Sequence, residues 1–104
     1  MEVKFFDDLL EKFIGNLEKP TIAKVLRTID LLGSFGQQLT MPHSKKVDSR
    51  LFELRVRGRQ EVRILYIFHN GSAVLLHGFV KKTQKISKRE LENARRKLGA
   101  LDNI

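Results

Sequence analysis

Three consecutive segments with the alternation of β-strands occupy the second half of the chain and restrict its fold more than any other feature. Residues 52–57 alternate apolar and charged side chains, the period-two pattern of a strand with one buried face. Residues 62–68 are apolar on both faces except at Arg63, as in a central strand. Asn70-Gly71, a strong signal for a tight hairpin turn, leads into a third strand at residues 73–80. These segments predict a small, mostly antiparallel sheet.

Helical periodicity precedes and follows these strands. Apolar side chains recur every three or four residues in two stretches, Phe6, Leu9, Leu10, Phe13, Ile14 and Leu17, and then Ile22, Val25, Leu26, Ile29 and Leu32. Pro20 suits the first turn of the second helix, and Glu18 and Lys19 join the two, so we expect a helical hairpin. Ser87 and Glu90 have the capping-box spacing that begins a last helix.

The order of these elements predicts one α+β domain over residues 1–104. With a short first strand at residues 1–5, the order is β-α-α-β-β-β-α. The N-terminal helical hairpin is expected to cover one face of the sheet, and a C-terminal helix closes the chain. A polar connection at residues 37–50 joins the hairpin to the strands.

Positive charge is concentrated in the second half of the chain. The formal net charge is +8, and residues 41–104 hold fifteen lysines and arginines against six acidic side chains. Arginine binds phosphate oxygens in pairs and lysine supplies a point charge, so this distribution favours nucleic acid as the partner. Cysteine is absent, and no apolar run approaches the roughly 20 residues of a membrane helix. We therefore expect a soluble cytoplasmic protein without a membrane partner.

Strand parity suggests where a site would form. If the hairpin covers one face of the sheet, the other face is open, and five side chains converge on it: Arg55, Arg63, His77, Phe79 and Lys81. Such a surface suits metal-free RNA cleavage, in which a ribose 2′-hydroxyl attacks the adjacent phosphate. The reaction needs a base for the hydroxyl proton, cations around the phosphorane and an acid for the departing 5′ oxygen.

The same residues have structural alternatives. Arg55 and Arg63 also fit strand positions paired with neighbouring carboxylates, His77 fits a hydrogen-bonded core histidine, and Phe79 fits closure of the core. Tyr66 lies within an apolar strand and is expected in the core. The three histidines lack the spacing of metal ligands, and no phosphate-binding glycine loop is present, so neither a metal nor a cofactor is predicted.

In this order, several segments of the chain resemble the RelE-like toxins of bacterial type II toxin–antitoxin systems, and especially their phage-derived, HigB-type branch. The segments are residues 39–45 (LTMPHSK), 52–55 (FELR), 62–66 (VRILY), 75–85 (LLHGFVKKTQK) and the basic helix around Ala94-Arg95-Arg96. The resemblance implies a toxin that cleaves mRNA in the ribosomal A site, without metal, through a cyclic phosphate. It also implies inhibition by a cognate helix-turn-helix antitoxin, with operator DNA contacted only through the antitoxin complex.

The resemblance also assigns roles to residues. Arg55 and Arg63 match strand arginines that grip the scissile phosphate, and Lys81 and Lys82 match basic positions after the last strand. The family's second-strand lysines are replaced here by Leu51 and Glu53, so the proton-transfer pair is left open. Its candidates are Glu53, His77 and Lys82. The other expected RNA contacts are Lys45, Lys46, Arg57, Phe79, Gln84 and Lys85.

Two further functions are compatible with the sequence. One is a non-enzymatic nucleic-acid-binding or co-repressor module that acts in complex with a helix-turn-helix antitoxin. The other is a general basic RNA-binding domain, which predicts an affinity that falls steeply with salt and no cleavage.

Overall fold

The computed structural model describes residues 1–103 as a five-stranded sheet with helices on both faces. Its elements are β1 (Glu2–Phe5), α1 (Asp8–Gly15), α2 (Lys19–Phe35), β2 (Ser44–Lys46), β3 (Phe52–Val56), β4 (Val62–His69), β5 (Ser72–Val80) and α3 (Lys88–Asp102). The predicted α+β fold is confirmed, and the element order matches the prediction apart from one additional strand. The sequence pattern did not show β2, a three-residue strand inside the connection expected to be a polar loop, and a 3-10 turn at Gly36–Gln38 precedes it.

The strands lie in the order β1-β5-β4-β3-β2. β1 is parallel to β5, and all other neighbours are antiparallel. The apolar β4 lies at the centre, as its pattern predicts. Asn70 and Gly71 connect β4 to β5 with positive φ angles of 50° and 78°, the backbone that a tight hairpin of this type requires.

The helical hairpin covers the first face of the sheet. Buried side chains of α1 and α2 pack there on the strands, and the cluster includes Leu10, Ile14, Val25 and Leu32 of the helices and Leu54, Ile64, Tyr66 and Leu75 of the sheet. Gly78 permits the close crossing of α1, because a Cβ atom at this position would lie 2.6 Å from a methyl carbon of Leu10. Leu9 and Leu26 belong to the apolar stripes of the sequence but are 60% and 50% exposed, so these stripes are wider than the buried surface.

Tyr66 confirms its expected place in the core. Its side chain is almost completely buried, and its hydroxyl hydrogen-bonds to the hydroxyl of Ser44 on β2. Burial raises the pKa of Tyr66, an effect that the Ser44 hydrogen bond partly offsets.

Helix α3 covers much of the second face, which the sequence analysis took to be open. A second apolar cluster forms there from Leu51, Leu65, Ile67, Val74, Leu76, Phe79 and Ala94. The predicted cap is present, since Ser87 Oγ accepts a hydrogen bond from the Glu90 amide at 3.3 Å. The apolar stripe of α3 needs a partner surface, and the sheet supplies it.

A β-bulge in β5 interrupts the regular alternation of side chains that the sequence analysis assumed for this strand. The register shifts between Leu65 and Tyr66, so that Leu65 pairs with His77 and Tyr66 pairs with Leu75. Leu75 therefore packs under the hairpin, while Phe79 packs under α3.

Candidate nucleic-acid interface

An open cleft of about 570 Å³ lies at the corner of the sheet where β3 and β5 end and β4 begins. Neighbouring strands are antiparallel there, so these three termini meet at the same edge. We call this feature the basic cleft; its lining residues are Lys45, Arg55, Arg57, Glu61, Arg63, Lys81, Lys82, Thr83 and Gln84. Six of these nine lining side chains are cationic, and Glu61 supplies the one carboxylate of the lining.

Two strand arginines and one carboxylate form the innermost part of this site. Arg55 and Arg63 lie directly opposite each other on β3 and β4, which confirms that they share a face. The Glu53 Oε1 atom lies 3.4 Å from Arg55 Nε and 3.7 Å from Arg63 Nε. The side chains of Arg55, Glu53 and Arg63 are 15%, 5% and 3% exposed, so this triad is largely removed from water.

Two hydrogen bonds hold the guanidinium of Arg63 in place. Its Nη1 atom donates to Glu61 Oε2 at 3.2 Å and to the Val62 carbonyl at 3.0 Å. Within residues 1–103, the Nε atoms of Arg55 and Arg63 are buried without a hydrogen-bond acceptor. The carboxylate pairing that the sequence offered as an alternative is therefore present, but it leaves donor capacity on both arginines.

The lysines expected to bind RNA divide between two faces. Lys45 lies opposite Glu53 in the sheet register and lines the basic cleft. Lys46 faces the other side of β2, where its ammonium lies 5.9 Å from the centre of the Phe52 ring. Lys85 lines a smaller cavity next to the cleft, and Lys81 and Lys82 line both cavities. The structure thus places Lys46 away from the cleft.

His77 and Phe79 do not join the arginines in the basic cleft. The His77 Nε2 atom lies 3.1 Å from Glu90 Oε1 on α3, and its ring stacks on Phe79 at 5.9 Å between ring centres. Phe79 is only 8% exposed within the cluster under α3, which leaves little ring surface for a nucleobase. The expected convergence on an open face is wrong for these two residues, because α3 occupies their surroundings.

Glu61 and part of α2 are site features that the sequence analysis missed. Glu61 is absent from the expected site residues, yet it lines the basic cleft. Lys24, Arg27 and Leu31 line a second groove beside the cleft. Their spacing along α2 follows one helical face, a signal readable from the sequence. These α2 residues were overlooked because the N-terminal part of the chain has almost no net charge.

The geometry alone does not name a family, but the sequence profile of one family matches residues 12–99. It is described as "Phage derived protein Gp49-like (DUF891)". The chain belongs to this family. The Gp49-like proteins are toxin-like and are associated with toxin–antitoxin systems, which confirms the resemblance to phage-derived toxins at that level. Among curated proteins, none matches the chain.

The matched region of this Gp49-like protein extends from α1 into α3 and includes every lining residue of the basic cleft. In the part of the chain that the structure describes, no group of three or more His, Asp or Glu side chains is placed to hold a metal ion. Over residues 1–103, no helix has the length and apolar character needed to cross a bilayer.

Proposed function

We propose that this Gp49-like protein is a RelE-like, HigB-type toxin that cleaves mRNA on the ribosome without a metal ion. The observation that carries the proposal is the basic cleft, where six cations from four segments surround one corner of the sheet. Cations held in fixed positions by strands and a buried carboxylate are suited to stabilise charge that develops on a phosphate. The family membership supports the toxin class.

In the proposed reaction, the ribose 2′-oxygen attacks the neighbouring phosphorus and the bond to the 5′ oxygen breaks. Arg55 is the more exposed arginine of the triad and contacts the phosphate directly. Arg63 lies beside it on the neighbouring strand, adds positive charge and, through Glu53, fixes its position. Lys81 adds a further point charge at the rim. The products are a 2′,3′-cyclic phosphate and a free 5′-hydroxyl.

Proton transfer is assigned from the position of each candidate relative to the cleft. Glu61 lines the cleft with a carboxylate that is 41% exposed, so we assign it to accept the 2′-hydroxyl proton. Lys82 lines the cleft as well and donates a proton to the departing 5′ oxygen. Glu53 is enclosed between two arginines and acts as a positioning residue. His77 is bound to Glu90 outside the cleft and has no role in this scheme.

The partners follow from the same proposal. Lys45, Arg57, Gln84 and Lys85 lie along the rim or beside it and contact the backbone of mRNA in the ribosomal A site. A cognate helix-turn-helix antitoxin inhibits the toxin, and operator DNA is contacted only by the complex of the two proteins.

The decisive experiment maps mRNA 5′ ends in a translating extract supplied with the protein. We expect cuts in phase with codons, which disappear when ribosomes are removed and in Arg55→Ala. The matched control is Arg59→Ala, since Arg59 lies in the same segment but is 81% exposed and outside the cleft. Thermal unfolding of each variant verifies folding. Cuts that persist in Arg55→Ala, or that do not need ribosomes, would contradict the proposal.

A second candidate function is supported by the ion pairs of the cleft. Arg55 and Arg63 each face a carboxylate, which reduces the charge available to a phosphate. This arrangement fits a non-enzymatic co-repressor module in a complex with an antitoxin. Growth arrest on induction separates the two functions: the toxin arrests growth and Arg55→Ala does not, whereas a co-repressor module leaves growth unchanged in both.

A further inference from the structure

A second groove, of about 290 Å³, lies between α2 and β3. We call it the α2–β3 groove; its lining residues are Lys24, Arg27, Thr28, Leu31, Pro42, His43, Arg55, Val56 and Arg57. Arg55 and Arg57 also line the basic cleft, so the two cavities are adjacent and share these arginines as a common wall. A bound polymer that passes over Arg55 can therefore occupy both cavities.

The chemistry of the groove differs from that of the basic cleft. Leu31 and Pro42 give it an apolar surface beside the buried Val56, and the imidazole of His43 also lines it. The Thr28 hydroxyl already donates to the Lys24 carbonyl at 2.9 Å and adds little polarity. A surface of this kind offers contact to the flat, weakly polar face of a nucleobase.

The rim of the groove carries positive charge. Four of its nine lining side chains are lysine or arginine, and none is a carboxylate. The Lys24 ammonium lies 3.4 Å from the Arg57 carbonyl, which ties α2 to the end of β3. Within residues 1–103, Arg27 has no carboxylate within 4.0 Å, unlike Arg55, Arg57 and Arg63. Its full charge is available to an external anion.

We propose that the α2–β3 groove binds the RNA nucleotide next to the scissile phosphate. The base lies on Leu31 and Pro42, and its phosphate contacts Arg27 and Lys24. This inference rests on the proposed function, because it takes RNA in the basic cleft as its starting point. The lining has no carboxylate, asparagine or glutamine to read cytosine or adenine edges, whereas its lysine and arginines can contact a guanine edge, so both stacking area and edge contacts favour purines over pyrimidines.

Binding is tested by NMR with a short RNA that carries a 2′-deoxy sugar at the attacking position and so cannot be cleaved. We expect shifts in the methyl signals of Leu31 and Val56 together with the amides of Lys81 and Lys82. Shifts confined to the two lysines would overturn this inference and leave the proposed function intact. No shift in either cavity would also overturn this inference, whereas the proposed function stands or falls with the ribosome-dependent cuts described above.

Affinity for the same RNA, measured by fluorescence anisotropy, gives the second test. Arg27→Glu should weaken binding roughly tenfold and lower the salt dependence by about one phosphate contact. Arg96→Glu is the matched control, because it reverses an exposed charge on α3, on the opposite face of the sheet, and should change affinity less than twofold. Equal losses in the two variants, or equal affinity for purine and pyrimidine at the flanking position, would refute the assignment.

Discussion

The replacement Glu53→Gln tests the buried triad at the centre of the basic cleft. The Glu53 carboxylate lies 3.4 Å from Arg55 Nε and 3.7 Å from Arg63 Nε. At an effective dielectric constant of about 20, each attraction is on the order of 4–5 kcal/mol before desolvation is subtracted. Glutamine keeps the shape but removes the counter-charge of Arg55 and leaves Arg63 with only the 41% exposed Glu61 at 3.2 Å. Removal of one partner from a buried ion pair costs about 3–5 kcal/mol, and we expect this loss in the free energy of unfolding.

Urea unfolding followed by circular dichroism measures the change. Small domains have slopes of about 1–3 kcal/mol per molar urea, so the midpoint should fall by about 2 M. Adding Arg63→Met to Glu53→Gln should restore at least half of the loss, because Arg63 is 3% exposed and cannot turn its charge to water. The more exposed Arg55 can do so.

The control for this prediction is Glu2→Gln. Glu2 is 69% exposed and lies 3.9 Å from the Lys4 ammonium, so its ion pair is worth less than about 1 kcal/mol. If Glu53→Gln destabilises the protein no more than this control, or if the double variant recovers nothing, the triad does not hold the arginines as we argue.

Three other perturbations have defined outcomes. Gly78→Ala should cost about 1–3 kcal/mol in thermal unfolding, since its Cβ would lie 2.6 Å from a side chain of α1, whereas Gly99→Ala, with open space, should raise stability. Ser87→Ala should lose about 1 kcal/mol with the cap of α3, measured by urea titration. Burial would raise the pKa of Asp48, but hydrogen bonds from two backbone amides and Arg95 lower it overall. A carboxyl whose pKa is lower in the folded than in the unfolded chain stabilises the fold at pH values above its unfolded pKa. The free energy of unfolding should therefore decline as the pH falls below about 4, and it should decline less in Asp48→Asn.

Much of the sheet could be predicted because its signals are local. The alternation in β3, the apolar run of β4 and the Asn70-Gly71 turn all lie within a few residues of the structure they determine. Strand parity placed Arg55 and Arg63 on one face, and their opposite positions in the register confirm it. The core of the candidate site was therefore readable from the sequence.

The other site residues depend on features that no local pattern contains. The bulge in β5 separates Leu75 from His77 by moving them to different faces. The docking of α3 then gives His77 a partner in Glu90, although the capping-box pattern assigns that side chain to its own helix end. Parity assumes a regular strand and an uncovered face, and here both assumptions fail.

The parallel pairing of β1 with β5 has a consequence for the sequence of events in folding. Glu2 lies beside Ser72, so β1 finds its neighbour β5 only after β3 and β4 have been made. The long loop between β1 and β5 slows the pairing of these two strands, and the backbone of β1 is unpaired until it is complete. A nascent chain that stops short of β5 leaves β1 without a neighbour and one side of β4 unpaired, so the sheet is completed only late in translation.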